Sequence, residues 1–176
     1  MKYFVFLAAG AALASPTLKG TLPDPIAPAA RGELQCYSPD RSNKTCNSLA
    51  SYKREPDGTI DNMALVLISK NPLITMETVS PVAVKSGQVC GKIRERDIDQ
   101  AKFTNGHDAL DASQVERLRQ QLRVAFRDMF NHEICTRYSA DGDVLVAKVT
   151  KDGVPMPTAE QRVIWVSPKE GYRVSP

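Results

Sequence analysis

This chain has little of what catalysis usually draws on. It holds two histidines and one tryptophan in 176 residues, and aromatic residues make up 6% of it. It has no Cys-x-x-Cys, which removes the thioredoxin-like exchange motif. It has no Gly-x-Ser-x-Gly nucleophile elbow. His132-Glu133 begins the zinc-protease pattern, but position 136 is Thr136, so the second histidine of the ligand pair is missing. The formal charge of +3 is too small to argue for a nucleic-acid partner. No cofactor is implied, and nothing after the first residues is apolar for long enough to span a bilayer, which takes about 20 residues.

What is present points outside the cytosol. Residues 1–14 carry one lysine, a short apolar core and Ala12-Leu-Ala14 before Ser15, the pattern of a cleaved signal peptide. That predicts a periplasmic or secreted protein. Residues 15–31 are rich in proline and alanine without an apolar period, which reads as a flexible linker. One domain is expected over 32–176.

Export sets the reading of the four cysteines, Cys36, Cys46, Cys90 and Cys135. An even set in an oxidising compartment is by default disulfide-bonded. Of the three connectivities, nearest-neighbour pairing (36–46 and 90–135) is preferred, though the sequence does not settle it. By loop-closure entropy the second bridge would contribute about 4 kcal/mol.

The clearest single element is a helix over about 113–131. Val115, Leu118, Leu122, Ala125, Phe126 and Met129 recur at three- and four-residue spacings. Ser113 with Glu116 reads as its capping box, and Asn131 as its stop. Around it lie strand-like runs joined by turn signals: Pro56-Asp-Gly58, Ser86-Gly87, Asn105-Gly106, Asp141-Gly142 and Asp152-Gly153. Val163-Ile-Trp-Val166 reads as a buried strand. Together these predict an α+β fold, a mostly antiparallel sheet packed on one long helix.

Candidate sites are few. Arg119, Arg123 and Arg127 form a row on the helix, and neither Arg123 nor Arg127 has an acid four residues away, so the row is a speculative binding site for an anionic ligand. His107, beside Asp108, can be oriented as a general base, which would suit a hydrolase acting with a serine or acid. His132 suits a helix C-terminus better than a metal. Asp141-Gly-Asp143 lacks the rest of an EF-hand, and Glu95, Asp97 and Asp99 alternate with arginines as a solvated charge run. No metal site is expected. Asn43-Lys-Thr45 is a glycosylation sequon, relevant only in a eukaryotic host.

Leu34-Gln-Cys-Tyr-Ser-Pro-Asp40, Lys44-Thr-Cys46, Asn131-His-Glu-Ile-Cys-Thr-Arg-Tyr138 and Val163-Ile-Trp-Val166 are similar to segments of small exported bacterial proteins of uncharacterised function. The resemblance implies a periplasmic or secreted setting and one domain, and brings no activity and no site residues. The expected function is a disulfide-stapled, non-enzymatic module that binds a protein or an anionic envelope component. The alternatives are the His107 hydrolase and a cystatin-like secreted inhibitor, the latter by analogy of architecture. Oligomeric state is not specified by the sequence.

Overall fold

Turn chemistry accounts for much of the architecture. At Ser86-Gly87 and Asp152-Gly153 both residues take positive φ (48° and 72°; 49° and 82°), the backbone that matches the twist of two antiparallel strands. At Pro56-Asp-Gly58 the Asp57 carboxylate accepts the Thr59 N–H at 2.9 Å. The computed structural model describes residues 23–106 and 108–176. In chain order these turns and loops connect β1 (Leu34–Tyr37), β2 (Thr45–Cys46), β3 (Ser48–Arg54), β4 (Ile60–Lys70), β5 (Leu73–Lys85) and β6 (Gln88–Lys92). Next come α1 (Glu95–Asp99), β7 (Lys102–Asn105), β8 (Asp108–Ala109) and α2 (Ala112–Phe126). The chain finishes with β9 (Glu133–Asp141), β10 (Val144–Lys151), β11 (Val154–Pro155), β12 (Gln161–Val166) and β13 (Arg173–Val174).

Eight of these strands form a closed antiparallel barrel, β1–β3–β4–β5–β6–β9–β10–β12 and back to β1. Each neighbours the next in chain order, so the barrel is of the up-and-down kind, sealed where β12 pairs with β1 (Gln35 opposite Trp165, Tyr37 opposite Val163). Strand accounts for 51% of the structure and helix for 22%. The expected α+β architecture, a sheet lying on one long helix, is therefore overturned, and with it the cystatin-like analogy. The sheet buries its inner face against itself. The helix, with its apolar face of Val115, Leu118, Leu122 and Phe126, packs instead on Ile98, Phe103 and the overhanging ends of β4 and β5 at Ile68 and Met76.

That helix exists with different ends. Its cap is Asp111, whose carboxylate accepts the Gln114 N–H at 2.8 Å while Gln114 Oε1 accepts the Asp111 N–H at 3.0 Å. The predicted Ser113–Glu116 box does not form, because an equally good cap lies two residues earlier. The α-helix stops at Phe126, tightens into a single 3₁₀ turn through Met129, and Asn131 leaves with a φ of 62°.

The segment read as linker is also structured where it is described. Ile26 is 2% exposed and packs with Ile60 and Val89 at the upper end of the barrel, and Asp24 pairs with Arg54 at 2.5 Å. A single apolar anchor between prolines leaves no period to read, which is why composition alone suggested a loose tether. The leader and residues up to 22 lie outside the described residues.

Both disulfides are present with the preferred pairing, Cys36–Cys46 and Cys90–Cys135. The first ties β1 to β2 outside the barrel, in a cluster with Val144, Ile164 and Val166 that Tyr172 helps to cover. The second links directly opposed residues of β6 and β9. Among the described residues no helix is long and apolar enough to cross a membrane.

Candidate functional site

The ladder registers decide which side chains face the barrel interior. Gln35, Tyr37, Ala50, Tyr52, Asn62 and Ser80 share that face, and the pairings carry it through Val82 and Gly91 to Thr136 and Tyr138. Barrel interiors of this size are either filled by side chains or hold one small ligand. Here the filling is incomplete. On β5 the inward Thr78, Ser80, Val82 and Val84 are only half-buried, while the outward Glu77, Val79, Pro81 and Ala83 are exposed.

The space left is a chamber of about 200 Å³ whose polar walls are Tyr37, Tyr52, Tyr138, Asn62, Ser80 and Thr136. Val82, Val89, Ile93 and Ile134 supply its apolar walls, and Lys92 stands exposed at its rim. At the lower end α1 packs against β5, with the Thr78 hydroxyl donating to the Asp97 carbonyl at 3.4 Å. The Asp97 carboxylate is 7% exposed and is held by the Arg94 guanidinium at 2.7 Å and the Arg94 N–H at 3.0 Å. That pair keeps the buried charge compensated. At the upper end, a second cavity of about 400 Å³ lies between Pro25, Pro28, Tyr138, Leu145 and Trp165.

The three phenols meet at one buried amide. Tyr52 Oη lies 2.6 Å from Gln35 Oε1, Tyr37 Oη 3.0 Å and Tyr138 Oη 3.2 Å, and Tyr37 and Tyr138 are 2.6 Å apart. Three protons cannot serve four contacts, and a carbonyl oxygen has two lone pairs. Tyr52 donates to Gln35, and Tyr37 and Tyr138 form a two-phenol chain ending on the same oxygen, so all three protons stay inside the cluster in either order of that chain. The phenol oxygens then keep acceptor capacity toward the chamber. Gln35 itself is fully buried, and its Nε2 has no hydrogen-bond partner. Burial first raises the Tyr37 and Tyr52 pKa values well above the ordinary phenol value; the Tyr52 and Tyr138 phenols add to this at Tyr37, and Tyr138 adds to it at Tyr52, where the hydrogen bonds with Tyr37 and Asn62 offset it in part. Both are neutral hydrogen-bonding groups at physiological pH.

The residues singled out from sequence lie elsewhere. Two of the arginine row are engaged inside the molecule: Arg123 pairs with Asp99 at 2.5 Å and Glu116 at 3.3 Å, and Arg119 donates to the Asp99 carbonyl at 2.5 Å. Those contacts fasten α2 to α1, through an acid on another element that helix spacing does not reveal. Arg127 is exposed and reaches its neighbour Asp128 at 3.6 Å. His132 Nδ1 meets the Asp152 carboxylate at 2.5 Å, and that carboxylate also accepts the Glu133 N–H. Those two bonds, the histidine's first, lower the Asp152 pKa. His107 lies outside the described residues, so the hydrolase reading has no geometry behind it. Among the described residues no group of three or more His, Cys, Asp or Glu could hold a metal ion.

Sequence reasoning passed over Gln35, Tyr37, Tyr52 and Tyr138 because single tyrosines on separate strands form no motif. The one available signal was inward alternation, once the barrel is known. Fold and interior together define a class: a small up-and-down barrel with a partly open polar interior. Comparison with known proteins takes this no further, as no family model, curated protein or solved structure matches the chain.

Proposed function

We propose that this protein is an exported, disulfide-stapled, non-enzymatic binding module that holds a small molecule inside its barrel, in the periplasm or outside the cell. One observation carries the reading. The middle of the barrel is lined by neutral polar side chains that remain half-buried around a chamber, where a purely structural barrel would close on apolar packing. The two disulfides fit an oxidising compartment and hold the walls at β1 and at β6–β9. The arginine row gives less support, because Arg123 and Arg119 at its centre are engaged by Asp99 and Glu116 within the chain.

Native mass spectrometry of the full chain recovered after secretion tests this. A bound small molecule adds mass to the wild type, and Thr136→Phe, which fills the chamber, loses that mass. Lys148→Phe, on an exposed outward position of β10, retains it. No added mass on the wild type, or the same added mass on the wild type and Thr136→Phe, with both disulfides intact in each, would contradict the proposal.

A further inference from the structure

We infer that the chamber's ligand is a neutral polyhydroxylated ring, a monosaccharide or cyclitol; this rests on the interior-binding reading above. Size sets the first limit. The chamber's volume of about 200 Å³ matches a single six-membered ring.

Charge sets the second. On the inward face, formal charge occurs only at the barrel's ends, at Arg54 and Lys151, and both are engaged: Arg54 with Asp24, Lys151 with the Asp128 carbonyl. Tyr37 and Tyr52 stay protonated. An ion carried into this interior would lose its hydration with no fixed counter-charge to replace it, a cost that selects against carboxylates and ammonium groups. Among the described residues Lys92 is the one charged side chain in the chamber's lining, but it sits exposed at the rim, where solvent screening leaves an ion pair contributing little.

Hydrogen-bond polarity sets the third. With the phenolic protons committed within the network, the phenol oxygens offer lone pairs, so the occupant must donate. Asn62, Ser80 and Thr136 can donate or accept, so it must also accept. A ring of hydroxyls does both around its edge, and its C–H faces fit the apolar side chains of Val82, Val89, Ile93 and Ile134.

The test uses the full chain with five probes: glucose and myo-inositol as neutral polyols, acetate and benzoate as anions, and choline as a cation. The ring resonances of Tyr37, Tyr52 and Tyr138 are followed by NMR. The expected result is saturable shifts with a polyol, weakened about 3- to 10-fold in Tyr138→Phe, as the loss of one hydrogen bond predicts, and abolished in Thr136→Phe. Should Tyr138→Phe fail to fold, Ser80→Ala serves in its place with the same expected direction. Saturation by an anion or by choline but by neither polyol, still abolished in Thr136→Phe, overturns the ligand class and leaves interior binding standing. Saturation by no probe also overturns the class, and if the native mass spectrum then shows no adduct, the interior-binding reading falls with it.

Discussion

The two sides of this barrel are built differently. Along β1 and β12, Gln35, Cys36 and Val163 are fully buried and Val166 is 2% exposed. Those strands are covered on both faces, inside by the barrel and outside by the Cys36–Cys46 loop with Tyr172. Along β4 and β5 the outer face meets solvent, with Met63 and Val79 directly opposed and both exposed, and the inner face meets the chamber. One side is a clamped wall and the other a half-wetted one. The difference separates two roles: the first side holds the barrel closed, and the second is the one that would meet a guest under the proposed function.

The largest expected contrast is a pair of like substitutions. Ile164→Ala, on the clamped side at 8% exposure, should cost about 2–5 kcal/mol. Ile134→Ala, half-buried against the chamber, should cost about 1 kcal/mol or less, since much of its surface is not removed from water on folding. Chemical denaturation of the two variants checks this, and equal losses would erase the distinction between the sides.

A smaller effect concerns pH. Tyr37 and Tyr52 have folded-state pKa values raised above the unfolded value of about 10. Their linked stability is therefore fully present below about pH 10 and is lost as pH rises through the folded values. Tyr52→Phe should lower stability at neutral pH by about 1 kcal/mol, through the lost bond to Gln35, and flatten the alkaline limb. Tyrosinate absorbance should show Tyr37 and Tyr52 ionising late. An unchanged alkaline limb in Tyr52→Phe would remove the phenol network from the account.

The smallest effect lies away from both sides. Arg123→Ala should loosen the α1–α2 junction, seen as faster amide exchange in α1, and leave the chamber resonances in place. Displacement of those resonances would mean that the helices shape the chamber more directly than their contacts indicate.

How much of this was legible in the sequence follows the same division. Hairpins were readable because Asp-Gly, Asn-Gly and Ser-Gly pairs act locally, and the buried β12 was readable because Val163-Ile-Trp-Val166 is a continuous apolar run, the mark of a strand covered on both faces. Export chemistry with an even cysteine count gave a preferred pairing that the structure shows. Closure was not legible. Joining β1 to β12 is a pairing across more than a hundred residues, and nothing in Leu34–Tyr37 names its partner. The site was hidden for the same reason. Gln35, Tyr52 and Tyr138 stand on three strands, and only closure brings their oxygens together. The partner of Arg123 was hidden too, because helix spacing shows the absence of a neighbour on one element and cannot show Asp99 on the next.

The most direct measurement is thiol accessibility at two matched positions. Ser80→Cys faces the chamber from the half-wetted side, and Val163→Cys faces inward from the clamped side. Under native conditions a small alkylating reagent should label the Ser80→Cys thiol readily and leave the Val163→Cys thiol protected until the protein unfolds. Equal protection of both would mean that the interior is a filled core with no room for a guest.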